Sequence, residues 1–280
     1  MATVGMVIHT ARPAAVEHAR DTAAWLAERG HRVRVPDVDA DATGLTAWAC
    51  AEHELADDLD LALSFGGDGT MLRAVDLLAA DDVPILGVNV GHLGYLTQVE
   101  PDQIVAALER VLAGNYEIEE RMMLSVAING EAPPRTALNE LVVEKVASGH
   151  TVRLAVVIND RFFTTYAADG MIVATPTGST AYSLSARGPI VSPTHRALLL
   201  TPVAPHMLFD RTLVLDASET IRLEILGPDA SLSVDGRASG TLHTGQSVVC
   251  TAGPHSARLV TFGGRDFHQI LKAKFGLADR

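Results

Sequence analysis

Gly66-Gly67-Asp68-Gly69-Thr70 stands between the apolar run Leu59-Asp60-Leu61-Ala62-Leu63-Ser64-Phe65 and the segment Met71-Leu72-Arg73-Ala74-Val75-Asp76-Leu77-Leu78. The first flank reads as a buried strand and the second as a helix, so three glycines and one carboxylate sit where a strand turns into a helix. Without Cβ atoms the backbone can take positive φ and let a ligand come close, while the N–H groups of a helix start face whatever anion arrives. Phosphate is the natural occupant. An aspartate at the centre of a phosphate-binding turn is electrostatically misplaced unless it binds a metal, orients an attacking hydroxyl or accepts its proton. The stretch points to phosphoryl transfer, with an ordinary tight turn as the alternative.

Outward from this turn, the first half of the chain alternates strand and helix. Residues 3–9 read as a strand, 14–29 as a helix stopped by Gly30, 31–35 as a strand, 45–58 as a helix, 71–80 as a helix and 83–89 as a buried strand. This order implies a doubly wound α/β sheet, whose ligands sit beyond the carboxyl ends of its strands. The glycine-punctuated loop Asn89-Val90-Gly91-His92-Leu93-Gly94-Tyr95-Leu96 either faces the same crevice or merely joins a strand to a helix; Pro101 to Ala113 is a helix closed by Gly114.

From about residue 122 the period changes to two. Residues 117–128 alternate and end at the Asn129-Gly130 turn; 137–145, 152–158, 162–167, 212–215, 221–226, 231–234, 247–250 and 258–262 read as further strands of a second, β-sandwich-like domain. A helix over 266–275 is expected to return to the first domain. The division expected is therefore 1–121 plus 263–280 as an α/β nucleotide-binding domain and 122–262 as an all-β domain, with the site between the two. Residues 169–185 read as a helix-like insertion into the β region, in which Pro176 and Gly178 fix a turn and Thr177, Ser179 and Thr180 supply hydroxyls.

Composition narrows the function classes. Apolar residues make up 48% and charged residues 20% of the 280, which is globular, and a formal charge of −12 argues against nucleic-acid binding. No apolar run approaches the length of a membrane span, and the first residues lack the basic flank of a signal peptide, so a cytoplasmic protein with no membrane association is expected. Lys145, Lys272 and Lys274 are the only lysines, and none lies in a Walker loop or a protein-kinase V-A-I-K strand. Cys50 and Cys250 have no paired spacing and read as two reduced, buried thiols.

The Gly66 to Thr70 loop resembles the GGDGT signature shared by NAD kinases and by lipid kinases of the diacylglycerol and sphingosine type. Asp169-Gly170-Met171-Ile172-Val173-Ala174-Thr175-Pro176-Thr177-Gly178-Ser179-Thr180-Ala181-Tyr182-Ser183-Leu184-Ser185 resembles the longer block that marks NAD kinases alone. Asn139-Glu140 is similar to the family's paired Asn-Glu, with a surface polar pair as its plain alternative. Residues 89–96 and Thr201-Pro202-Val203-Ala204-Pro205-His206 also resemble family segments, the latter otherwise being a proline-stiffened bend. Departures are Arg187 in place of a usual glycine, Ala167 where some members carry arginine, and Asp235-Gly236-Arg237 for the commoner DGQ.

The resemblance implies an NAD kinase that uses ATP or polyphosphate and a divalent metal, Mg²⁺. It makes Asp68 the proton acceptor or orienter, and Gly66, Gly67, Gly69 and Thr70 the phosphate loop. It assigns Asp68, Gly69, Arg73, Asn139, Glu140, His150, Asp169, Thr180, Ala181, Tyr182, Ser183, Leu184, Ser185 and Ala204 to NAD; His150 is otherwise a solvent-facing turn histidine. It further implies a homodimer or homotetramer joined through the β domains. Two other readings stay open: a lipid kinase, for which the chain lacks an amphipathic membrane helix, and a dinucleotide sensor without catalysis.

Overall fold

A computed structural model of the chain describes residues 1–147, 149–263 and 267–277. Two compact units divide it, Met1–Glu120 with Ser256–Arg280, and Arg121–His255.

The first unit is built from β1 (Thr3–Ile8), α1 (Pro13–Glu28), β2 (Arg32–Pro36), α2 (Asp37–Thr43), β3 (Ala49–Cys50), β4 (Leu61–Gly66), α3 (Asp68–Leu78), β5 (Pro84–Asn89) and α4 (Ile104–Leu112). Its strands pair in parallel in the order β5-β4-β1-β2-β3. All six residues of β4 are buried and so are five of six in β1 and β5, the continuous apolar pattern of parallel strands covered on both faces. α1 begins with Pro13 in its first turn, buries Ala15, Ala19, Thr22, Ala23 and Leu26, and ends at Gly30 with φ +77°. The expected helix over 45–58 does not form. α2 comes earlier and stops at Gly44, whose φ is +74°, and the alanine-rich stretch after it holds two short 3₁₀ turns around β3. Only Leu45 and Leu55 of that stretch are buried hydrophobics, too few for a helical stripe.

The second unit carries β6 (Glu117–Ile128, which begins in the first), β7 (Arg135–Ala137), β8 (Glu140–Lys145), β9 (Val152–Ile158), β10 (Arg161–Ala168), β11 (Gly170–Ala174), α5 (Tyr182–Ser185), β12 (Ala197–Val203), β13 (Leu213–Asp216), β14 (Ile221–Gly227), β15 (Ala230–Val234), β16 (Arg237–Leu242) and β17 (Ser247–Thr261). One antiparallel sheet runs β13-β12-β11-β8-β15-β16; the other contains β10-β9-β14-β17 with β6 and β7. Leu141, Val143, Val173 and Leu232 of the first pack with Leu124, Val156, Tyr166 and Leu223 of the second in one core, which makes the unit a sandwich. Tight turns are where the sequence places them: Asn129 and Gly130, and Asn159 and Asp160, all have positive φ.

Three expectations change. Residues 170–174, read as part of a helix-like insertion, are the buried strand β11 at the middle of its sheet. Residues 200–206, read as a bend, begin inside strand β12; Pro202 pairs with Met171 on one side, while β13 pairs only with Ala197 to Leu200 on the other, so the missing N–H falls beyond that ladder. The runs 247–250 and 258–262 are one strand, β17, which starts in the second unit and ends in the first, where Arg258 and Leu259 pair in parallel with Pro84 and Ile85. The segment from 256 to 262 thus lies in the α/β unit, not in the β domain. α6 (Phe267–Phe275) follows in the first unit, and Asp266 of the expected helix lies outside the described residues.

Candidate functional site

In the first unit β4 delivers Gly66 and Gly67 to the start of α3, with Asp68 in its first turn. Asp68 does not hang free. Its Oδ2 accepts the Tyr95 N–H at 2.9 Å and its Oδ1 the Leu96 N–H at 3.0 Å, so the 89–96 loop is fastened to the loop carboxylate. Gly94 is required for this approach, because a Cβ there would stand 2.2 Å from Asp68 Oδ1. The Tyr95 ring carries the Lys274 ammonium 4.4 Å from its centroid and meets the Phe267 ring at 6.4 Å, and burial, then the Asp68 charge, pushes its phenol upward in pKa.

The three glycines of the loop differ. A Cβ on Gly66 would fall 2.2 Å from Thr70 Oγ1 and 3.2 Å from His9 Cβ, so packing explains it. Gly67 and Gly69 have no described neighbour within 4 Å of such an atom, and neither has positive φ. The fold does not need glycine at either place. Beside them lies a cavity of about 430 Å³ lined by His9, Thr10, Arg12, Gly67, Gly69 and Arg73 among others. Two guanidinium groups and the start of an 11-residue helix make it attractive to an anion. Arg12 also donates to the Val90 carbonyl, and Arg73 to the carboxylate of Asp39 at 2.8 Å. Asp39 is 1% exposed and takes the Ile8 N–H at 2.8 Å as well, so Arg73 is held in place by a buried anion.

In the second unit Asn139 and Glu140 lie at the start of β8, and neither is a loose surface residue. The Asp235 carboxylate accepts the N–H groups of Leu138, Asn139 and Glu140 at 2.7, 2.8 and 3.0 Å. From the other side Thr175 donates its N–H to the Asn139 carbonyl and its hydroxyl to Leu138 at 2.5 Å, while Gly178 packs so close that a Cβ would be 2.2 Å from the Asn139 oxygen. Glu140 is 6% exposed; burial first, and the Asp235 charge second, push its carboxyl up to about 7, against the Tyr182 N–H that bonds it. Its Oε2 has no partner among the described residues.

Asp169 forms a 2.7 Å ion pair with Lys145. Residues 177–180 are a 3₁₀ turn and Tyr182–Ser185 a single helical turn. Here the hydroxyls are largely spent on the fold: Thr177 takes a bond from Arg121, Ser179 bonds Val191 both ways, and Ser183, fully buried, bonds Thr201, which in turn bonds Thr212. Thr180 donates to the Thr177 carbonyl, and Ala181 joins the turn to the helix. The density of hydroxyls in this block is thus structural at Thr177, Ser179 and Ser183. Ser185, Arg187, Ala204, Arg211 and Thr212 line, with others, a cavity of about 740 Å³. Ala204 and Arg187 both have positive φ, +44° and +68°, so arginine occupies a backbone state that favours glycine. Leu184 is half-buried, and His150 is exposed after Gly149.

Sequence reasoning missed Asp39 and Arg121. It named Asp235 only within Asp235-Gly236-Arg237, the segment that stands for the family's DGQ, and nothing in its spacing from Asn139 shows that the two meet. Cys250 is buried, its thiol raised by desolvation, but Cys50 is only half-buried, a correction to the expected pair of buried thiols. Among the described residues no three His, Cys, Asp or Glu side chains group as a metal cage, and no helix is long and apolar enough to cross a membrane.

Residues 4–116 match the family described as ATP-NAD kinase N-terminal domain, and residues 138–262 the ATP-NAD kinase C-terminal domain. The chain is 43% identical to the NAD kinase of Heliobacterium modesticaldum, covering 98% of each, and 42% identical to that of Moorella thermoacetica, covering 98% of this chain and 89% of the other. Yeast NADH kinase, solved with NADH, superposes with a TM-score of 0.92 at 26% identity, over all of this chain and 89% of that one. An Archaeoglobus fulgidus NAD kinase, solved with ATP, shares the fold at a TM-score of 0.74 and 24% identity, over 98% of this chain and 97% of that one. With both halves of the family pattern present and full-length relatives above 40% identity, the chain belongs to the NAD kinase family.

Proposed function

We propose that the chain transfers the terminal phosphoryl group of ATP, or of polyphosphate, to the 2′-hydroxyl of the adenosine ribose of NAD. The ribose oxygen forms the new P–O bond, the bond to the preceding phosphate breaks, ADP or the shortened polyphosphate leaves, and the hydroxyl proton passes to Asp68 or to water. The observation that carries this reading is the pair Gly67 and Gly69, glycines kept without a packing or backbone reason beside a cavity walled by Arg12 and Arg73. A ligand that must approach the backbone supplies the missing reason.

Asp68, with its orientation set by the Tyr95 and Leu96 N–H groups, keeps a lone pair on each oxygen for the reacting hydroxyl. Asn139 and Glu140 hold ribose hydroxyls, Glu140 through its unpartnered Oε2. Asp169, Tyr182, the 180–185 backbone, His150 and Ala204 line the rest of the dinucleotide. Asp68 is the carboxylate of this loop that would hold a divalent ion such as Mg²⁺ beside the donor phosphates. That ion would neutralise charge on the transferring group.

Asp68→Asn tests the assignment. Turnover should fall about 10²-fold or more with NAD binding nearly intact. Unchanged turnover removes Asp68 from the reaction, and absence of any NADP formed by the parent chain with ATP and polyphosphate would leave a silent dinucleotide sensor instead.

A further inference from the structure

We propose that Asp235 is a positioning residue of the dinucleotide site, locking the Leu138–Glu140 backbone and setting a like charge beside the Glu140 carboxyl. The inference rests on the reading of Glu140 as an NAD ligand. Asp235 sits in the two-residue turn between β15 and β16, where it and Gly236 have φ of +47° and +74°. From there its carboxylate gathers three successive N–H groups, and its own N–H donates to the Glu140 carbonyl at 3.0 Å. Four hydrogen bonds therefore tie one turn to three residues. On the far side the Thr175 bonds and the close packing of Gly178 leave the same backbone no room to shift. The side chains that Asn139 and Glu140 present are those read above as holding ribose hydroxyls.

The second consequence is electrostatic. Glu140 is buried and borders Asp235, so ionising it would set two carboxylates side by side in a site poor in solvent. The charge that acts on it is Asp235 from the β15–β16 turn; Glu144, Lys145 and Asp169 lie at the other end of the β8–β11 ladder, where Lys145 and Asp169 pair with each other. Tyr182 contributes its N–H. One Glu140 oxygen takes that N–H; the other, without a described partner, carries the proton below about pH 7 and there offers it to a ligand oxygen. Loss of this proton at higher pH replaces a donor by an anion, so NAD capture acquires an alkaline limb set by burial first and by the Asp235 charge second.

The test is steady-state kinetics of the full-length chain against NAD from pH 5.5 to 9, for Asp235→Asn, Asp235→Glu and Glu140→Gln, with folding checked by near-UV circular dichroism. Asp235→Asn should raise KM for NAD about 10-fold with kcat and the KM for ATP changed less than about threefold. It should also move the alkaline limb of kcat/KM for NAD by about half a unit to one unit toward lower pH, because the like charge that opposes ionisation of Glu140 is gone; a limb that stays in place or moves to higher pH contradicts the proposal. Asp235→Glu, which retains charge but displaces it, should raise KM with the limb in place. Glu140→Gln should abolish the limb. A folded Asp235→Asn with parental KM and pH profile overturns the proposal, and if that variant does not fold, a parental KM in Asp235→Glu does so. A limb that survives in Glu140→Gln overturns the protonation step. Glu140→Ala, measured in the same series, removes donor and acceptor together: if it leaves KM for NAD unaltered, the reading of Glu140 as a ligand fails first, whereas raised KM there with parental Asp235 variants sinks only the role of Asp235.

Discussion

Gly69→Ala separates a glycine kept for a ligand from one kept for the fold. Gly69 is in the first turn of α3, its φ is not positive, and a Cβ would meet no described atom within 4 Å. Alanine in a helix interior is favoured over glycine by about 1 kcal/mol, so stability should stay level or rise. A phosphate oxygen bonded to a backbone N–H lies about 2.9 Å from the nitrogen, whereas a new carbon holds non-bonded atoms off at about 3.5–4.0 Å. The ligand must then retreat by roughly half an ångström to one ångström, and a misplacement of that size lowers turnover up to about 10²-fold. Gly66→Ala is the contrast: its Cβ would lie 2.2 Å from Thr70 Oγ1 and 2.8 Å from Thr70 Cβ, an overpacking that costs about 1–3 kcal/mol. Thermal unfolding with initial rates of NADP formation reads both effects. Gly69→Ala should keep its melting temperature and lose at least about tenfold in kcat/KM, while Gly66→Ala melts earlier. A Gly69→Ala chain with parental kcat/KM for NAD and for ATP refutes the idea that a ligand approaches this backbone.

Glu140 gives a stability prediction with a definite sign. Its carboxyl rises from 4.5 to about 7 on folding, so between those values the folded chain holds a proton that the unfolded chain has released, and stability falls as pH rises, by about 3 kcal/mol in all. Urea unfolding should show this loss relative to Glu140→Gln, and parallel pH curves for the two proteins count against it. Arg73→Ala strips the buried Asp39 of its cation; with Arg73 27% exposed, solvent takes up part of the loss, and about 2 kcal/mol of destabilisation is expected in chemical denaturation, whereas unchanged stability would free Arg73 for a purely ligand-binding role. Assembly follows from the sheet edges: β10 and β13 are edge strands, and Phe162, Phe163 and Val214 on them are 66%, 42% and 53% exposed. Light scattering at micromolar concentration should give a dimer or tetramer, and a fully active monomer of 29.7 kDa rules that out.

The first unit was legible because each of its cues is local. A buried run, a glycine turn and an amphipathic stripe lie within about twenty residues of one another, and periodicity detects them. The exception, 45–58, shows the limit: alanine-rich sequence has helix propensity, but a helix persists only where a stripe is buried, and Gly44 had already ended the preceding one. In the second unit periodicity found the alternating strands and lost the two buried on both faces. β11 and the first residues of β12 are continuous apolar runs, which a period-two search passes over, and the adjoining Pro176, Gly178 and Pro202 drew them into turns.

For the site the division is similar but sharper. Motif letters located Asp68, Asn139, Glu140 and the 169–185 block, yet they did not say what each side chain touches. Ser183 and Ser179, conspicuous as hydroxyls, prove to be internal braces. Asp235, 95 residues from Glu140, proves to accept its backbone N–H and to add to the shift that burial gives its carboxyl. Such a contact depends on β15 pairing directly beside β8, so that the turn after Val234 reaches the start of that strand, and no spacing along the chain encodes it. What a sequence can show is the cost of leaving such a group alone: an aspartate placed beside buried strands must find donors, and three consecutive N–H groups at the start of β8, which the ladder has not yet taken up, must find an acceptor. Each requirement is visible separately, and the fold meets both with one hydrogen-bonded turn.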